Sequence, residues 1–481
     1  MADDAKGPFD FDFFLIGAGQ TNVPLGPKLC QDGYKVGIAE RSHMGGSCVN
    51  FGCMPSKAVH ASARLAYLAR RSSDWGIDIA GDIQPDLEAV LARARRWSDK
   101  SQTSIHDKFV DWDMHLHKAH ARLAGREGDG FRIELDGEDG TTAVTARHVV
   151  LDPGSRTAVP PIDGLDLVQT AGRLITAETW LQQPTMFKRL LVLGGGYIGT
   201  EMAQFYARMG ASVTLVETND HILEKEDADV AGALHKCLVE EGLTIHTAVK
   251  AKSISAAGEA FTLSLESGET IDFDGMLLAT GRKPETGNIG LDTVGLTTKD
   301  NGSIDTDEFG ETSVAGLFVC GDARGGPAFT HTAHDDHHIL LGRIRGERDP
   351  GGSKSREQRL VPWAVFTDPE IGRVGLSEKQ CEEKGLKTRV ICVSMKSNDR
   401  ARVTGEPAGF VKLLVDAESD EGKLHGAAIV GHQAGELIHA FIMLMHLDRG
   451  LSAILDAVFI HPTLFEVIHQ AVDQWHKSKS K

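Results

Sequence analysis

An α/β protein of several domains, two of them built on one nucleotide-binding plan, is what this sequence predicts, on three observations. The chain has 481 residues, too many for a single hydrophobic core and enough for about three domains. It carries 53 glycines among 41% apolar residues, a composition suited to many tight strand-to-helix turns. A strand, glycine turn, helix and second strand occur twice with matched spacing, at Phe11 to Glu40 and at Leu190 to Glu217.

In the first unit, FDFFLIGAGQTN supplies a strand and the turn glycines Gly17 and Gly19, and an amphipathic stretch then runs to Gln31, ahead of Gly33 and YKVGIAE. In the second, LLVLGGGYIGTEMAQFYARMGASVTLVE supplies Gly194, Gly196 and Gly199. Gly33 and Gly210 stand sixteen residues after the first glycine of their units, and Glu40 and Glu217 stand twenty-three after it. The first glycine makes the tight turn, the second lets a pyrophosphate approach the backbone, and the third packs helix on strand. The helix N-terminus then presents its positive end to the phosphates. A carboxylate ending the second strand can accept from ribose hydroxyls. The first unit departs from the pattern at Asn22, where Gly or Ala is usual.

Charge and hydropathy exclude other classes. Lys plus Arg number 51 against 68 Asp plus Glu, a formal charge of −17, which repels nucleic acid and anionic membranes. The start, MADDAKGPFD, is acidic and precedes only a short apolar run, unlike a signal peptide. Ala440 to Met445 is broken at once by His446 and Asp448, well short of a membrane span. A cytoplasmic protein is expected.

Seven cysteines are too few for a disulfide scaffold. Cys30, Cys237, Cys320, Cys381 and Cys392 are scattered without metal-ligand spacing and read as small buried hydrophobes. Cys48 and Cys53 differ, lying in GGSCVNFGCMPSK ahead of a long helical stretch. Pro55 in a first turn marks a helix start, so Cys53 is expected at that helix N-terminus, where the dipole stabilises a thiolate. Four intervening residues including Gly52 leave loop enough for the two sulfurs to meet.

GGSCVNFGCMPSK resembles the GGTCxNxGCxPSK motif of the pyridine nucleotide–disulfide oxidoreductases, the family of dihydrolipoamide dehydrogenase, glutathione reductase and mercuric reductase. The resemblance covers nearly the whole chain. Thr280-Gly281-Arg282-Lys283-Pro284 is similar to the family's ATGRxP element, and Leu317 to Asp322 to its second FAD element. Phe366-Thr367-Asp368-Pro369-Glu370 opens the interface domain, and His461-Pro462-Thr463 with Glu466 resembles its HPTxxE close.

The resemblance implies two Rossmann-like nucleotide-binding domains, for FAD and NAD, plus a C-terminal α/β dimerisation domain. The expected limits are 1–155 and 283–355 for the FAD domain, 156–282 for the NAD domain and 356–481 for dimerisation. It implies that Gly17, Gly19, Glu40 and Asp322 hold FAD, with Lys57 near the flavin and paired to Glu201. Gly194, Gly196, Gly199, Glu217 and Gly281 belong to the NAD site, with Tyr197 as a movable aromatic gate. Cys53 is then the thiolate facing the flavin and Cys48 the thiol that attacks the acceptor. His461, oriented by Glu466, is the acid–base that serves the disulfide of the other subunit of a homodimer. Glu217 opposes a 2′-phosphate, and Thr218 and Glu224 fill places where NADPH users carry arginine, so NADH is the expected donor.

Two segments strain the pattern. Asp152-Pro153-Gly154-Ser155 stands in place of the usual ATGS. FTHTAHDDHH, Phe329 to His338, carries four histidines where the family starts a helix, and His334 and His338 are spaced to share a helix face. Such a pair can bind a metal, but Asp335 and Asp336 account for the charge balance and no metal site is assigned. The relay residues are closest to those of dihydrolipoamide dehydrogenase, which points to a small or lipoyl-type dithiol/disulfide substrate. The alternatives are a mercuric-reductase-like flavoprotein that reduces a metal ion or other oxidant, or a component of a complex with a lipoyl-bearing protein. The tail WHKSKSK lacks the vicinal cysteines of mercuric reductase, and His461 is present where that enzyme lacks histidine.

Overall fold

The structure, a computed structural model, describes residues 8–347 and 355–479. The first seven residues, MADDAKG, the last two of the tail, and 348–354 beside the expected limit at 355 lie outside the described residues.

Phe11–Ile16 has a burial pattern closed on both faces, as a central parallel strand requires. It pairs in parallel with Val36–Ala39 on one side and with Gly140–Leu151 on the other. His115–His117 extends the sheet beyond Val36–Ala39, and Leu317–Val319 pairs in parallel with the end of Gly140–Leu151. An antiparallel pair, Ala119–Glu127 and Gly130–Gly137, completes seven strands. Ile16 lies opposite both Ala39 and Leu151, so Gly17, Glu40 and Asp152 emerge together at the carboxyl edge of the sheet. Ligands of open α/β sheets bind at such an edge.

The second unit repeats this plan. Arg189–Leu193 lies between Ser212–Val216 and Gly275–Leu278, with Thr244–His246 and Leu174–Ile175 outside them, all parallel. Here the antiparallel meander, Ala251–Ala257, Ala260–Leu265 and Thr270–Phe273, forms a sheet of its own. The chain passes between the two units at Ser155–Thr157 and Arg282–Pro284, which pair antiparallel with each other. The third unit is a five-stranded antiparallel sheet whose strand order runs from Trp363–Val365 to Thr388–Ser394. The last helix, Glu466–Ser478, seals it by burying Val467, Ile468, Val472 and Trp475.

Helix Cys53–Arg70 holds the units together. It packs on Leu87–Asp111 and on Tyr197–Met209, and its Val59 and Ala63 share one core with Leu91, Ala203, Phe205 and, from the third sheet, Val365 and Val430. Each large apolar side chain buried there contributes about 1.5–3 kcal/mol, more than the ~0–1 kcal/mol of an exposed ion pair. Apolar burial therefore sets how Cys53–Arg70 meets Tyr197–Met209, and polar side chains at their junction inherit that geometry.

Two expectations need correction. The four residues between the cysteines are not all loop: Val49 and Asn50 complete a short helix, Gly46–Asn50, that also holds Cys48. The five scattered cysteines are not uniformly buried: Cys320 and Cys381 are, Cys30 and Cys237 are half-buried, and Cys392 is exposed. Cys392 lies on Thr388–Ser394, an edge strand of the third sheet, and alternation along a strand turns every second side chain outward.

Candidate active site

The two glycine turns are braced alike. Glu40 Oε2 accepts the Ala18 N–H at 2.9 Å, and Glu217 Oε2 accepts the Gly195 N–H at 2.6 Å, in each case the residue after the first glycine. The other oxygen of Glu40 accepts the Ser42 N–H at 2.8 Å, and that of Glu217 accepts both N–H groups of Asn219 at 2.8 Å. Each carboxylate is thus fixed at the strand end its unit's ribose would meet.

The third position differs between the units. A Cβ on Gly199 would lie 1.9 Å from the Gly194 carbonyl oxygen, so no other residue fits there. At Asn22 the side chain is buried and its Nδ2 donates to the Gly17 carbonyl at 2.8 Å. The substitution thus replaces close packing by a hydrogen bond, which resolves the departure seen in the sequence. Asp152 is the second departure. It is buried, and its Oδ2 accepts the N–H groups of Thr21 and Asn22 at 3.1 and 3.3 Å. Burial pushes this carboxyl up to about 7, against the pull of those two amides, and the nearby charges of Asp322 and Asp336 raise it further.

Cys53 opens its helix, with Gly52 as N-cap. Both cysteines are free thiols in the structure, and the Cys48 thiol hydrogen-bonds to Cys53. That bond draws Cys53 down to about 6; burial opposes it, and Thr330 and the Lys57 charge reinforce it. Thr330 Oγ1 lies 3.0 Å from Cys53 Sγ. Cys48 moves the opposite way, raised by its hydrogen bond to Cys53 and by burial. The pair is therefore polarised, with negative charge held on Cys53.

Lys57, one turn further along the helix, places Nζ 3.1 Å from Glu201 Oε2. Burial alone would raise Glu201, but Lys57, His60 and the Phe366 N–H, which donates to Oε1 at 2.9 Å, hold it down to about 2. Lys57 Nζ also lies 4.0 Å from the centroid of the Phe366 ring. Tyr197, the first residue of helix Tyr197–Met209, stacks on Phe329 with centroids 6.0 Å apart.

Sequence reasoning missed four groups here. Ser155 donates to Asp322 Oδ2 and accepts from Arg282 Nε at 2.8 Å, and Arg282 also reaches Glu178 at 3.3 Å. Thr330 is the fourth. Arg282 and Ser155 were within motifs already noted, so their place in the site was open to inference; Thr330 has no local signal, because only the tertiary fold brings residue 330 to residue 53.

One continuous cavity of about 3070 Å³ is lined by Cys48, Cys53, Lys57 and Glu201 and by both nucleotide turns, with Glu40, Tyr197, Glu217, Gly281 and Asp322. A pocket for one small molecule holds about 300–1,000 Å³, so this volume suits two dinucleotides. Around Gly196 a Cβ would meet nothing within 4 Å, which leaves the backbone open to a phosphate. The residues present therefore fit FAD and a nicotinamide dinucleotide. Gly199 lies behind the turn, outside the lining.

His461 and Glu466 do not line this cavity. His461 Nδ1 lies 3.0 Å from Glu466 Oε1, and the Thr463 N–H donates to Glu466 Oε2 at 2.9 Å. The Glu466 hydrogen bond raises the exposed imidazole above its ordinary value. Within one chain the dyad is formed but turned to solvent.

Among the described residues no helix is long and apolar enough to cross a membrane. The family model described as pyridine nucleotide-disulphide oxidoreductase matches residues 11–336, and that of the family's dimerisation domain matches 361–472. The chain is 31% identical over 479 residues to a dihydrolipoyl dehydrogenase of Rhizobium etli, covering 96% of this chain and 97% of that one. It is 29% identical to a mercuric reductase of Lysinibacillus sphaericus, over 90% of this chain and 76% of the other. Among solved structures it superimposes on the Escherichia coli HOCl-induced flavoprotein disulfide reductase RclA, in a Cu(II) complex, with a TM-score of 0.86 at 25% identity, covering 96% and 99% of the two chains. Two nucleotide turns, a polarised cysteine pair and an appended dimerisation domain on one chain have a single common reading: the protein belongs to the pyridine nucleotide-disulphide oxidoreductases, FAD- and NAD(P)-dependent enzymes that act on disulfides.

Proposed function

We propose that this enzyme is dihydrolipoyl dehydrogenase-like, moving electrons between NADH, FAD, the Cys48–Cys53 pair and a small or protein-bound dithiol/disulfide. The observation that carries the reading is the polarised pair, Cys53 held as thiolate by Cys48, Thr330 and Lys57, on the cavity that both nucleotide turns line. FAD held by Gly17, Gly19, Glu40 and Asp322 would supply two-electron transfer between the nicotinamide and the disulfide. Reducing that disulfide with two electrons and one proton leaves Cys53 as thiolate and Cys48 as thiol. Cys48 then attacks one sulfur of the acceptor once its proton is removed, the departing sulfur takes a proton, and Cys53 attacks Cys48 to restore the disulfide and release the second sulfur. An imidazole oriented by a carboxylate suits both transfers. Because His461 and Glu466 turn away from their own chain's cavity, the dyad of a second copy would serve the pair, which makes the homodimer the working unit.

Glu217 supports NADH as donor, since a 2′-phosphate would meet its fixed carboxylate. The antiparallel crossing of Ser155–Thr157 and Arg282–Pro284 supports domain limits at 155 and 282, and the dimerisation-domain match over 361–472 supports an FAD domain that resumes to about 355 and a dimerisation domain from about 356. The five cysteines outside the redox pair, none of them bonded to another, suit a reducing, cytoplasmic setting. A lipoyl-bearing protein as partner rests on the likeness to dihydrolipoyl dehydrogenases.

Reduction of a metal ion or other oxidant at the dithiol is the second reading, supported by the likeness to mercuric reductase. Steady-state NADH oxidation with lipoamide, glutathione disulfide and Hg2+ as alternative acceptors separates the two. The first reading expects lipoamide to be preferred by kcat/KM; turnover confined to the metal ion would reject it.

A further inference from the structure

Helix Thr330–Ile344 begins at the cysteine pair, where Thr330 meets Cys53, but its His334, His337 and His338 lie outside the cavity. The helix packs there against Asn22–Gln31, which carries Lys28. One nitrogen from each of the three imidazoles lies within 4.8 Å of the others. His337 is buried, whereas His334 and His338 are exposed.

The carboxylates expected to balance these histidines are engaged elsewhere. Asp336 is fully buried among Arg324, Arg356 and Arg359, at 3.2, 3.1 and 2.9 Å, and Asp335 pairs with Arg359 at 2.9 Å. Asp335 acts on His334 and His338 only through its field. What does approach the imidazoles is a cation: Lys28 Nζ lies 2.9 Å from His337 Nε2. His337 Nδ1 donates to the His334 carbonyl, which leaves the Nε2 lone pair free to face a positive charge. An imidazole ligates a metal through its unprotonated ring nitrogen, which in His337 is the Nε2 that faces Lys28.

We infer that His334, His337 and His338 form a three-imidazole site for a divalent transition metal of the zinc and copper type, with the Lys28 ammonium standing in the cation's place. Three neutral imidazoles are a donor set such ions favour over magnesium or calcium. Metal–nitrogen bonds of about 2.0–2.1 Å put the ligand nitrogens of a tetrahedral centre roughly 3.3 Å apart, so rotations that move the exposed His334 and His338 by about 1 Å close the set. Lys28 must give way, which its flexible four-carbon stem allows.

The test uses full-length, FAD-loaded protein in a Cys48→Ser/Cys53→Ser background, which removes thiolate competition for the probe. Cu2+ alone is titrated in and followed by frozen-solution electron paramagnetic resonance. One copper per subunit with coupling to several imidazole nitrogens is expected. His334→Gln/His338→Gln should weaken binding at least about tenfold, and Lys28→Met should tighten it. Unchanged flavin absorbance and melting temperature would show that these variants are folded. Equal affinity in the double variant and its parent, or an oxygen-dominated spectrum such as the acidic cluster of Asp368, Glu406 and His432 would give, would overturn the assignment.

Discussion

Lys57 Nζ lies 3.1 Å from Glu201 Oε2, joining the helix that opens at Cys53 to the helix that opens at the second nucleotide turn. Lys57 is 35% exposed at its side chain and Glu201 only 9%, so the pair is asymmetric: water shares the lysine, while the carboxylate depends on its partners. The Lys57 charge also helps hold Cys53 as thiolate. Lys57→Met should therefore move the Cys53 titration upward and slow alkylation of the reduced protein at pH 6.5 by about three- to tenfold. Iodoacetamide kinetics against pH measure this, and an unmoved midpoint would remove Lys57 from the account.

Thr330 offers a separate handle on the same thiolate. A hydrogen bond to a charged group contributes about 1.5–3 kcal/mol, and one pKa unit corresponds to about 1.4 kcal/mol. Thr330→Val should raise the Cys53 midpoint from about 6 by roughly one unit, while Thr330→Ser should leave it in place. Ultraviolet thiolate absorbance of the reduced protein reads both.

Asp152 predicts an unusual pH dependence of stability. Its folded pKa, about 7, exceeds the roughly 3.9 of an unfolded aspartate. The folded state thus holds a proton that the unfolded state has released between about pH 4 and pH 7, and stability falls as pH rises through that window. Asp152→Asn should flatten the melting temperature over pH 5 to 7.5. A parent whose melting temperature climbs with pH there, with the same slope in the variant, would contradict the assignment.

His461 and Glu466 should affect exchange without affecting flavin reduction. His461→Gln is expected to lower disulfide turnover by about 10²–10⁴-fold while NADH-driven reduction of an artificial one-electron acceptor stays near the parent rate. The Glu466 hydrogen bond raises His461, so Glu466→Gln should shift the corresponding limb of the kcat/KM profile to lower pH. Mixing His461→Gln with Cys48→Ser subunits and recovering activity in the hybrid would show that the dyad serves the other chain.

The fold was legible where local chemistry and spacing sufficed. The glycine turns, with Glu40 and Glu217 at equal distances from them, are short-range patterns, and the structure gives the two carboxylates the same brace. Cys53 at a helix start followed from Pro55. Three things were not legible. Cys48 occupies a helical turn that five residues could not announce. Asp152 and Asn22 could be flagged as departures, but their meaning depends on a hydrogen-bond geometry set by the sheet edge. Asp335 and Asp336 were expected to balance the neighbouring histidines, but their partners include Arg356 and Arg359, about twenty residues further along the chain, which local charge counting does not reach.

If electrons from NADH reach Cys48–Cys53 through the flavin and leave Cys53 as thiolate, anaerobic addition of one equivalent of NADH to the oxidised protein should produce a long-wavelength absorbance band. The band should fade as pH is lowered through about 6 and be absent in Cys53→Ser. Simple bleaching of the flavin, with no such band in the parent, would contradict it.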